Sequence, residues 1–464
     1  MSSSQPIVSI SGIRGIIWQS LTPPLIIQYV SAFARYCILH YQSKTIVVGR
    51  DGRLNGDIVA HLVIATLRSA GIDVVDIGIV PTPTVQIATE DLKTCGGISI
   101  SASHNPQERN GLKFLNPDGT FPVQNQVDEI VSFLGETNQW VSYDKMGNLI
   151  TDHSRLDKHI DKILQIPYVN TDIIRSRKIK VVIDAVNASG SVIVPKLCKE
   201  LGCEVIPLFV DESGVFPHTP EPIPANLTQL CQAVLDHQAD LGIAVDPDAD
   251  RLVLIADDGK PFIEENTIVA CIAQVFKKSD SLFPGKTKIT TVNLSTTRGT
   301  EDIAHSYGGI CQRSAIGEIN VVTMMKHNQS LIGGEGSGGI ILPNVHYGRD
   351  SLVGIALTLQ EFAEYHGTVA EYRNQLPTYQ IVKLKLEWVV DPDYLIVQLK
   401  NYFSWIQEVV WLDDSDGLKI DFSDHRVHFR KSNTEPIVRI YAEWGDSINR
   451  LAQDYFNLAK QWCQ

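Results

Sequence analysis

Three carboxylates at alternate positions, Asp246, Asp248 and Asp250, followed at once by Arg251, hold the most chemistry of any stretch in this sequence. Two such charges ~4 Å apart repel by roughly 4 kcal/mol at an effective dielectric near 20, so gathering three in one segment makes sense mainly around a cation. Pro247 biases Asp246 to an extended conformation, which helps aim successive carboxylates at one point. An EF-hand is excluded, because Arg251 stands where that loop needs glycine and Asp257 where it needs glutamate. Hard oxygen ligands with coordination positions left over suit Mg2+, which usually keeps a phosphate oxygen or water. Arg251 is out of place in a plain metal loop and apt where a phosphoryl group must be held beside the ion. The alternative is an acidic solvated turn, which fits poorly with the apolar approach Leu241 to Val245.

The second candidate is Gly96 to Pro106. Residues 98 to 101 alternate isoleucine and serine, the period of a strand buried on one face, and Asn105-Pro106 stops it in a turn. Ser103 then lies at a strand's carboxyl end, where open α/β sheets place their ligands. With His104 beside it and Lys113 beyond, it has the polar partner and nearby positive charge that a nucleophile needs. Taken alone, Ser-His-Asn-Pro reads rather as the start of a turn, since those residues favour turns for local reasons. Gly333 to Gly339 is dense in glycine, so its backbone can approach a ligand closely, and Glu335 and Ser337 can read sugar hydroxyls; a flexible turn has the same composition. Arg430, Ser432, Asn433 and Thr434, with Arg439 beyond, offer guanidinium groups, hydroxyls and an amide, which is the chemistry of a phosphate clamp or a turn between two strands. Pro284 to Thr287 resembles the end of a P-loop, but Asp280 occupies the position of its first glycine. No Gly-x-Gly-x-x-Gly opens a helix after a strand, which disfavours a dinucleotide enzyme.

The elements that must hold these loops alternate strand with helix. A strand feeding the turn Gly12-Ile-Arg14-Gly15 is followed by a helix over 24–41, a strand over 45–49 ending in the charged loop Arg50 to Arg53, a helix over 58–70, a strand over 73–77 and a short helix after Val80. The order repeats as strand 180–184, helix 192–201, strand 204–209, a helix near 227–237 and strand 241–245. It appears again as strand 289–293, a helix after Gly299, strand 309–312, helix 318–327 and strand 330–333. Each round ends one strand on an unusual loop: 101–106, 246–251 and 334–339. Beyond Gly367 the pattern becomes a helix over 369–375, strands over 379–386, 417–422, 426–430 and 437–441, and an amphipathic helix from Ser447. The expected fold class is α/β: three topologically similar domains with mixed, mostly parallel sheets, plus a C-terminal α+β domain. The expected divisions are 1–155, 156–260, 261–370 and 371–464.

With 464 residues, 44% of them hydrophobic, the chain has ample material for several cores. A formal net charge of −13 argues against nonspecific nucleic-acid binding, which needs a surplus of Lys and Arg, so an anionic ligand must meet a local basic island. No apolar run of spanning length and no basic leader is present, so neither membrane nor secretion is expected and the cytoplasm is the default. The 8 cysteines are scattered without Cys-x-x-Cys, which reads as reduced core thiols.

Four motifs, in order, resemble those of the α-D-phosphohexomutases: Ser-Ala-Ser-His-Asn-Pro, Asp-x-Asp-x-Asp-Arg, Gly-Glu-x-Ser-Gly and Arg-x-Ser-Asn-Thr-Glu-Pro, together with Ser-Gly-Ile-Arg-Gly near the start. The resemblance implies four domains around one cleft and transfer of a phosphoryl group between the 1- and 6-positions of a hexose. It implies that Ser103 is phosphorylated in the active enzyme with His104 beside it, and that Asp246, Asp248, Asp250 and a phosphoserine oxygen bind Mg2+. It further implies that Lys113 and Arg251 act as general acid and base, and that Arg14 lies near the phosphoserine. Glu335 and Ser337 would read the sugar, while Arg430, Ser432, Asn433 and Thr434 would hold its distal phosphate. A hexose 1,6-bisphosphate is the implied activator, and a monomer or homodimer the expected state. Many relatives have histidine at the position of Gly339 and threonine near Ala315, which bears on substrate preference. The serine loop and the Gly-Glu-Gly-Ser-Gly-Gly form look closer to the phosphoglucosamine mutases than to the glucose and mannose enzymes. A metal-dependent sugar phosphatase and a binding protein without catalysis are the readings from other classes.

Overall fold

The computed structural model describes residues 6–10, 12–135, 140–377, 379–387, 389–431, 437–444 and 448–462. The helix Pro23–His40 illustrates how local sequence sets packing. Its buried residues Ile26, Tyr29, Val30, Phe33, Ala34 and Cys37 recur at helical spacing, so one stripe faces the sheet. That stripe packs with Ile46, Val48, Ile98 and Ile100 in one apolar cluster.

Three sheets repeat one arrangement. In the first, the strands Arg109–Leu115, Gly96–Ile100, Thr45–Arg50 and Asp73–Ile79 are neighbours in that order. In the second the order is Leu252–Ala256, Leu241–Val245, Lys180–Asp184 and Glu204–Phe209; in the third it is Gly339–Ile341, Ile332–Glu335, Ile289–Asn293 and Ile310–Ser314. In each, the last three strands run parallel and the first is antiparallel to its neighbour. The loops singled out in the sequence are the three corresponding hairpin connections, all at the carboxyl end of the second strand. The first sheet adds Ile7–Ser9 and Gly12–Ile16 at one edge and Leu149–Thr151 at the other.

The last sheet is wholly antiparallel, in the order Gln380–Leu386, Val438–Trp444, His425–Lys431, Leu418–Phe422 and Val409–Asp413. The helices Pro392–Phe403 and Ile448–Gln461 supply Leu395, Leu399, Phe403 and Tyr455 to its core. No helix among the described residues is long and apolar enough to cross a membrane.

Two expectations need correction. The strand leading to Ser103 is buried on both faces rather than one. Its isoleucines enter the core under Pro23–His40, while Ser99 bonds Thr82 Oγ at 2.9 Å and a Cβ at Gly97 would lie 2.3 Å from Thr89 Oγ, so the small polar positions lie beneath the helix Thr82–Asp91. The third central strand covers Ile332–Glu335 rather than 330–333, so Glu335 ends a strand instead of lying within a loop. Several elements were not anticipated, among them Arg109–Leu115, which carries Lys113, and the long helices Glu264–Leu282 and Ser351–Glu364.

Candidate active site

The Ser103 loop is shaped from behind by Arg53, a fully buried cation. Its Nε donates to Asp51 Oδ2 at 2.9 Å. Its two terminal nitrogens donate to the backbone oxygens of Ser103 (2.5 Å), Asn105 (2.9 Å), Pro106 (2.8 Å) and Arg109 (3.2 Å). Asp51 also accepts from Ser101 Oγ at 2.7 Å, and Ser101 Oγ in turn accepts the Ser103 N–H at 2.8 Å. Ser103 adopts φ 50°, a left-handed conformation that costs a non-glycine residue about 1 kcal/mol and persists where surrounding bonds over-determine it. Ala249 does the same at φ 48° in the aspartate loop, where its N–H donates to the Asp246 carbonyl at 2.8 Å.

The two loops meet. Ser103 Oγ donates to Asp246 Oδ2 at 2.8 Å and lies 3.3 Å from His104 Nδ1. Asp246 Oδ1 accepts the N–H groups of Asp250 (3.1 Å) and Arg251 (3.2 Å), which curls the loop around that carboxylate. Asp248 Oδ2 bonds Lys113 Nζ and accepts from Thr82 Oγ at 2.5 Å, and Asp250 Oδ2 accepts from Arg349 at 2.7 Å. Lys113 reaches this point because its strand pairs with Gly96–Ile100, opposite Ser99.

Ligand oxygens of the three aspartates lie within 4.8 Å of one another, and Asp248 Oδ1 and Asp250 Oδ1 are buried with no hydrogen-bond partner among the described residues. A divalent cation would satisfy both orphaned oxygens with hard oxygen donors, so the residues fit Mg2+. Burial, then the charges of Asp250 and Asp248, push the Asp246 carboxyl well above the usual range. Burial works the same way on Asp248, but the Lys113 charge together with hydrogen bonds from Lys113 and Thr82 outweighs it and holds that carboxyl well below its ordinary value. Arg14 Nε and Arg251 Nε are buried donors likewise without a hydrogen-bond partner among the described residues, Arg251 Nε lying 3.8 Å from Asp250 Oδ1. Arg14 interacts electrostatically with Asp248, Arg251, Asp250 and Arg349, which places its charge in this same site. Unmatched donors beside unmatched acceptors suit a phosphoryl group lying against a metal ion. The Arg251 charge, then burial and Arg14, depress the His104 imidazole to about 2, so it is neutral near pH 7.

The sugar-loop residues are placed differently. Glu335 Oε1 accepts from Asn293 at 2.9 Å and Oε2 from Arg349 at 2.5 Å, whereas Ser337 is half-buried. On the last sheet, Arg430 and Arg439 are direct cross-strand partners. Like charges in that register repel unless an anion lies between them. Arg430 Nε is shared by both Asp416 oxygens at 3.0 and 3.1 Å, and Arg439 Nε is buried with no hydrogen-bond partner among the described residues. Ser432, Asn433 and Thr434 lie outside the described residues.

Sequence reasoning passed over Arg53, Thr82, Glu318 and Arg349. Arg53 belongs to the charged loop after the second parallel strand, and its type and place could have flagged it. Arg349 had no such signal.

Residues 7–139, 157–259 and 264–379 match, in turn, the α/β/α domains I, II and III of phosphoglucomutase/phosphomannomutase. The chain belongs to the α-D-phosphohexomutases. Among similar phosphohexomutases, a Methanopyrus kandleri protein named "Probable phosphoglucosamine mutase" is 33% identical over 438 residues, 93% of this chain and 92% of its own. A Thermococcus kodakarensis protein named "Phosphoglucomutase/phosphomannomutase" is 33% identical over 436 residues, 93% of each chain. The solved structure of a phosphoglucomutase/phosphomannomutase family protein from Burkholderia thailandensis superposes with TM-score 0.84 at 25% identity, covering 98% of each chain. That coverage extends the phosphohexomutase architecture through the antiparallel sheet, beyond the three matched domains.

Proposed function

We propose that this phosphohexomutase interconverts glucosamine 6-phosphate and glucosamine 1-phosphate through a phosphoserine at Ser103. The observation that carries the reading is the meeting of Ser103 Oγ with Asp246, beside two orphaned carboxylate oxygens and two orphaned guanidinium nitrogens. Mg2+, held by Asp246, Asp248, Asp250 and the phosphoserine, would withdraw charge from the transferring phosphoryl group. In the forward half, the bond between phosphorus and Ser103 Oγ breaks as one forms to the free hydroxyl of the sugar phosphate; that hydroxyl gives up its proton and Ser103 Oγ takes one up. The resulting bisphosphate turns over, its other phosphoryl group passes to Ser103 Oγ, and a proton returns to the exposed sugar oxygen. A hexose 1,6-bisphosphate would restore a lost phosphoserine by the second half alone.

Arg14 and Arg251 steady the phosphoryl oxygens, so the chain contributes mainly position and fixed charge. Lys113 and Arg251 are the proposed proton carriers. Of the two, an ammonium exchanges protons more readily than a guanidinium, which stays charged and donates. Glu335 and Ser337 would read the sugar, and Arg430 with Arg439 would hold whichever phosphate is not reacting. Glucosamine is favoured over mannose or glucose by the form of the 334–339 loop and by relatives with that name. A cytoplasmic setting is proposed on the phosphorylated-sugar chemistry and the buried free thiols of Cys37, Cys95, Cys198, Cys203 and Cys271.

Coupled assays of 6-phosphate to 1-phosphate conversion on glucosamine, mannose and glucose phosphates test the substrate. A glucosamine rate far below the others would remove that assignment and leave the reaction standing. Mass spectrometry of the purified protein is expected to find one phosphoryl group on Ser103. Steady phosphate release without isomer exchange would instead make the protein a phosphatase.

A further inference from the structure

Arg349 joins three parts of the site that belong to different loops. Its Nη2 donates to Asp250 Oδ2 at 2.7 Å and its Nη1 to Glu335 Oε2 at 2.5 Å. Its Nε lies 3.1 Å from Glu318 Oε2, without the alignment of a hydrogen bond. A planar guanidinium holds two separate carboxylates in a fixed relation through its rigid fork, whereas an ammonium's rotatable donors set no such relation.

The main chain beneath it is pinned. The Asp350 N–H donates to the Ile340 carbonyl at 2.8 Å, and Asp350 Oδ1 caps the helix Ser351–Glu364 through the Leu352 N–H at 2.9 Å. Asp350 Oδ2 is held by His159 Nε2 (2.8 Å) and His346 Nε2 (3.2 Å), and His159 Nδ1 meets Thr84 Oγ at 2.9 Å. Arg349 is therefore fixed from the second unit through His159, itself held by Thr84 of the first, and from the third unit through His346.

Gly339 supplies the room. A Cβ there would lie 2.3 Å from Arg349 Cδ and 2.9 Å from its Cγ, so the arginine stem occupies the space of the missing side chain. The neighbouring Gly338 needs glycine for its backbone, at φ 84°, whereas Gly339 is not among the residues of positive φ. Its lack of a side chain matters for space alone.

The consequence falls on the aspartates. Lys113 occupies Asp248 Oδ2 and Arg349 occupies Asp250 Oδ2, and in both the other oxygen is the orphan. Each carboxylate thus has one oxygen tied to a buried cation and the other left without a hydrogen bond, although Arg251 Nε approaches Asp250 Oδ1 to 3.8 Å. We propose that Arg349 is a positioning residue for phosphoryl transfer, admitted by Gly339, that aims Asp250 at the metal ion and Glu335 at the sugar and so locks the metal and sugar loops together. This rests on the reading of the aspartate trio as the metal site.

The test uses Mn2+ as the probe, bound to the full chain and followed by electron paramagnetic resonance, beside the isomerase assay. Groups that orient metal ligands typically contribute about 10–100-fold in metal affinity or activity. Arg349→Gln is expected to weaken Mn2+ binding by about that factor and to lower kcat. Charge alone predicts the opposite sign, since removing a nearby cation should tighten a cation site. Arg349→Lys keeps the charge without the fork and should behave like the glutamine variant. Gly339→Ala leaves Arg349 in the chain but displaces it, and should weaken Mn2+ about 10-fold with its melting temperature little changed; it also serves if Arg349→Gln does not fold. Unchanged or tighter Mn2+ binding in the folded variants, or full retention by Arg349→Lys, overturns the role of Arg349 while a functional wild type stands. A wild-type protein that neither binds Mn2+ nor isomerises hexose phosphate overturns the proposed function, and this inference with it.

Discussion

The junction between the second and third units and the junction between the third unit and the last sheet are built by different physics. One apolar cluster runs from Ile87 to Leu376, and Val181 and Leu241 share it with Val292 and Ile332. The last sheet keeps a core of its own, from Leu386 to Ala459. It meets the third unit through polar groups: Glu443 accepts from Thr297 Oγ and the Arg298 N–H, Arg426 donates to the Thr296 carbonyl, Ser295 Oγ meets His428 Nδ1, and Asp416 accepts the Ile316 N–H. Separating a shared apolar core exposes its surface to water, whereas polar contacts can be exchanged for water at small net cost. The aspartate loop and the Glu335 loop sit on the fused pair, and Arg430 and Arg439 on the separately cored sheet. On the proposed reading, the transfer chemistry has fixed geometry and the phosphate clamp a support that can adjust to either end of a hexose bisphosphate.

The largest expected effects come from breaking the fixed side. Ser103→Ala removes the phosphoryl acceptor, so turnover should fall by on the order of 10^4 or more, with the melting temperature nearly unchanged. Retained turnover would show that another group carries the phosphate. Arg53→Lys cannot span the carbonyls of Ser103, Asn105, Pro106 and Arg109. Displacement of the loop by about 1 Å should lower kcat about 10^2-fold with KM little altered. Steady-state kinetics decides, and an unchanged kcat would mean that the loop holds its shape unaided.

Those residues differ in how openly the sequence announced them. The strands over 204–209, 241–245 and 289–293 have the bounds that their apolar, β-branched runs imply, because clear turns flank them. The Asp246, Ser103 and Glu335 loops were visible for the same reason, since each follows such a strand and concentrates polar or glycine residues. The helix Ser351–Glu364 was not, because nearly every residue in it is buried and it lacks the polar face that gives a periodic signal. The strand Arg109–Leu115 was hidden behind the turn at Asn105-Pro106. Arg349 meets a partner 99 residues earlier, Asp250, and no local motif encodes a contact of that reach. The one trace of it in the sequence is the glycine at 339, which was read as a matter of substrate preference.

On the adjustable side, Arg430→Ala should act on binding more than on chemistry. Losing a charge-assisted bond worth about 1.5–3 kcal/mol should raise KM for the sugar phosphate about 10–100-fold while kcat changes less. A drop in kcat at constant KM would place Arg430 with the transfer machinery and erase the distinction between the two junctions.

The smallest effect should separate the junctions by pH. His428 lies buried between Ser295 Oγ (3.0 Å) and the Asp416 carbonyl (2.8 Å). Burial, with Arg426 and Lys419 adding to it against the pull of Asp416, depresses its imidazole from 6.5 to about 4. Above pH 6.5 it is neutral whether the chain is folded or not and contributes nothing to pH dependence. Between pH 6.5 and 4 the unfolded chain gains a proton that the native state refuses, so stability falls as pH drops, by about 2 kcal/mol at pH 5, and levels off below 4. The polar junction should therefore loosen in mild acid while the shared apolar core does not. His428→Gln removes this titration, so between pH 7.5 and 5 the melting temperature of the variant should fall less than that of the wild type. Parallel curves for the two proteins would mean that the polar junction takes no part in the response to acid.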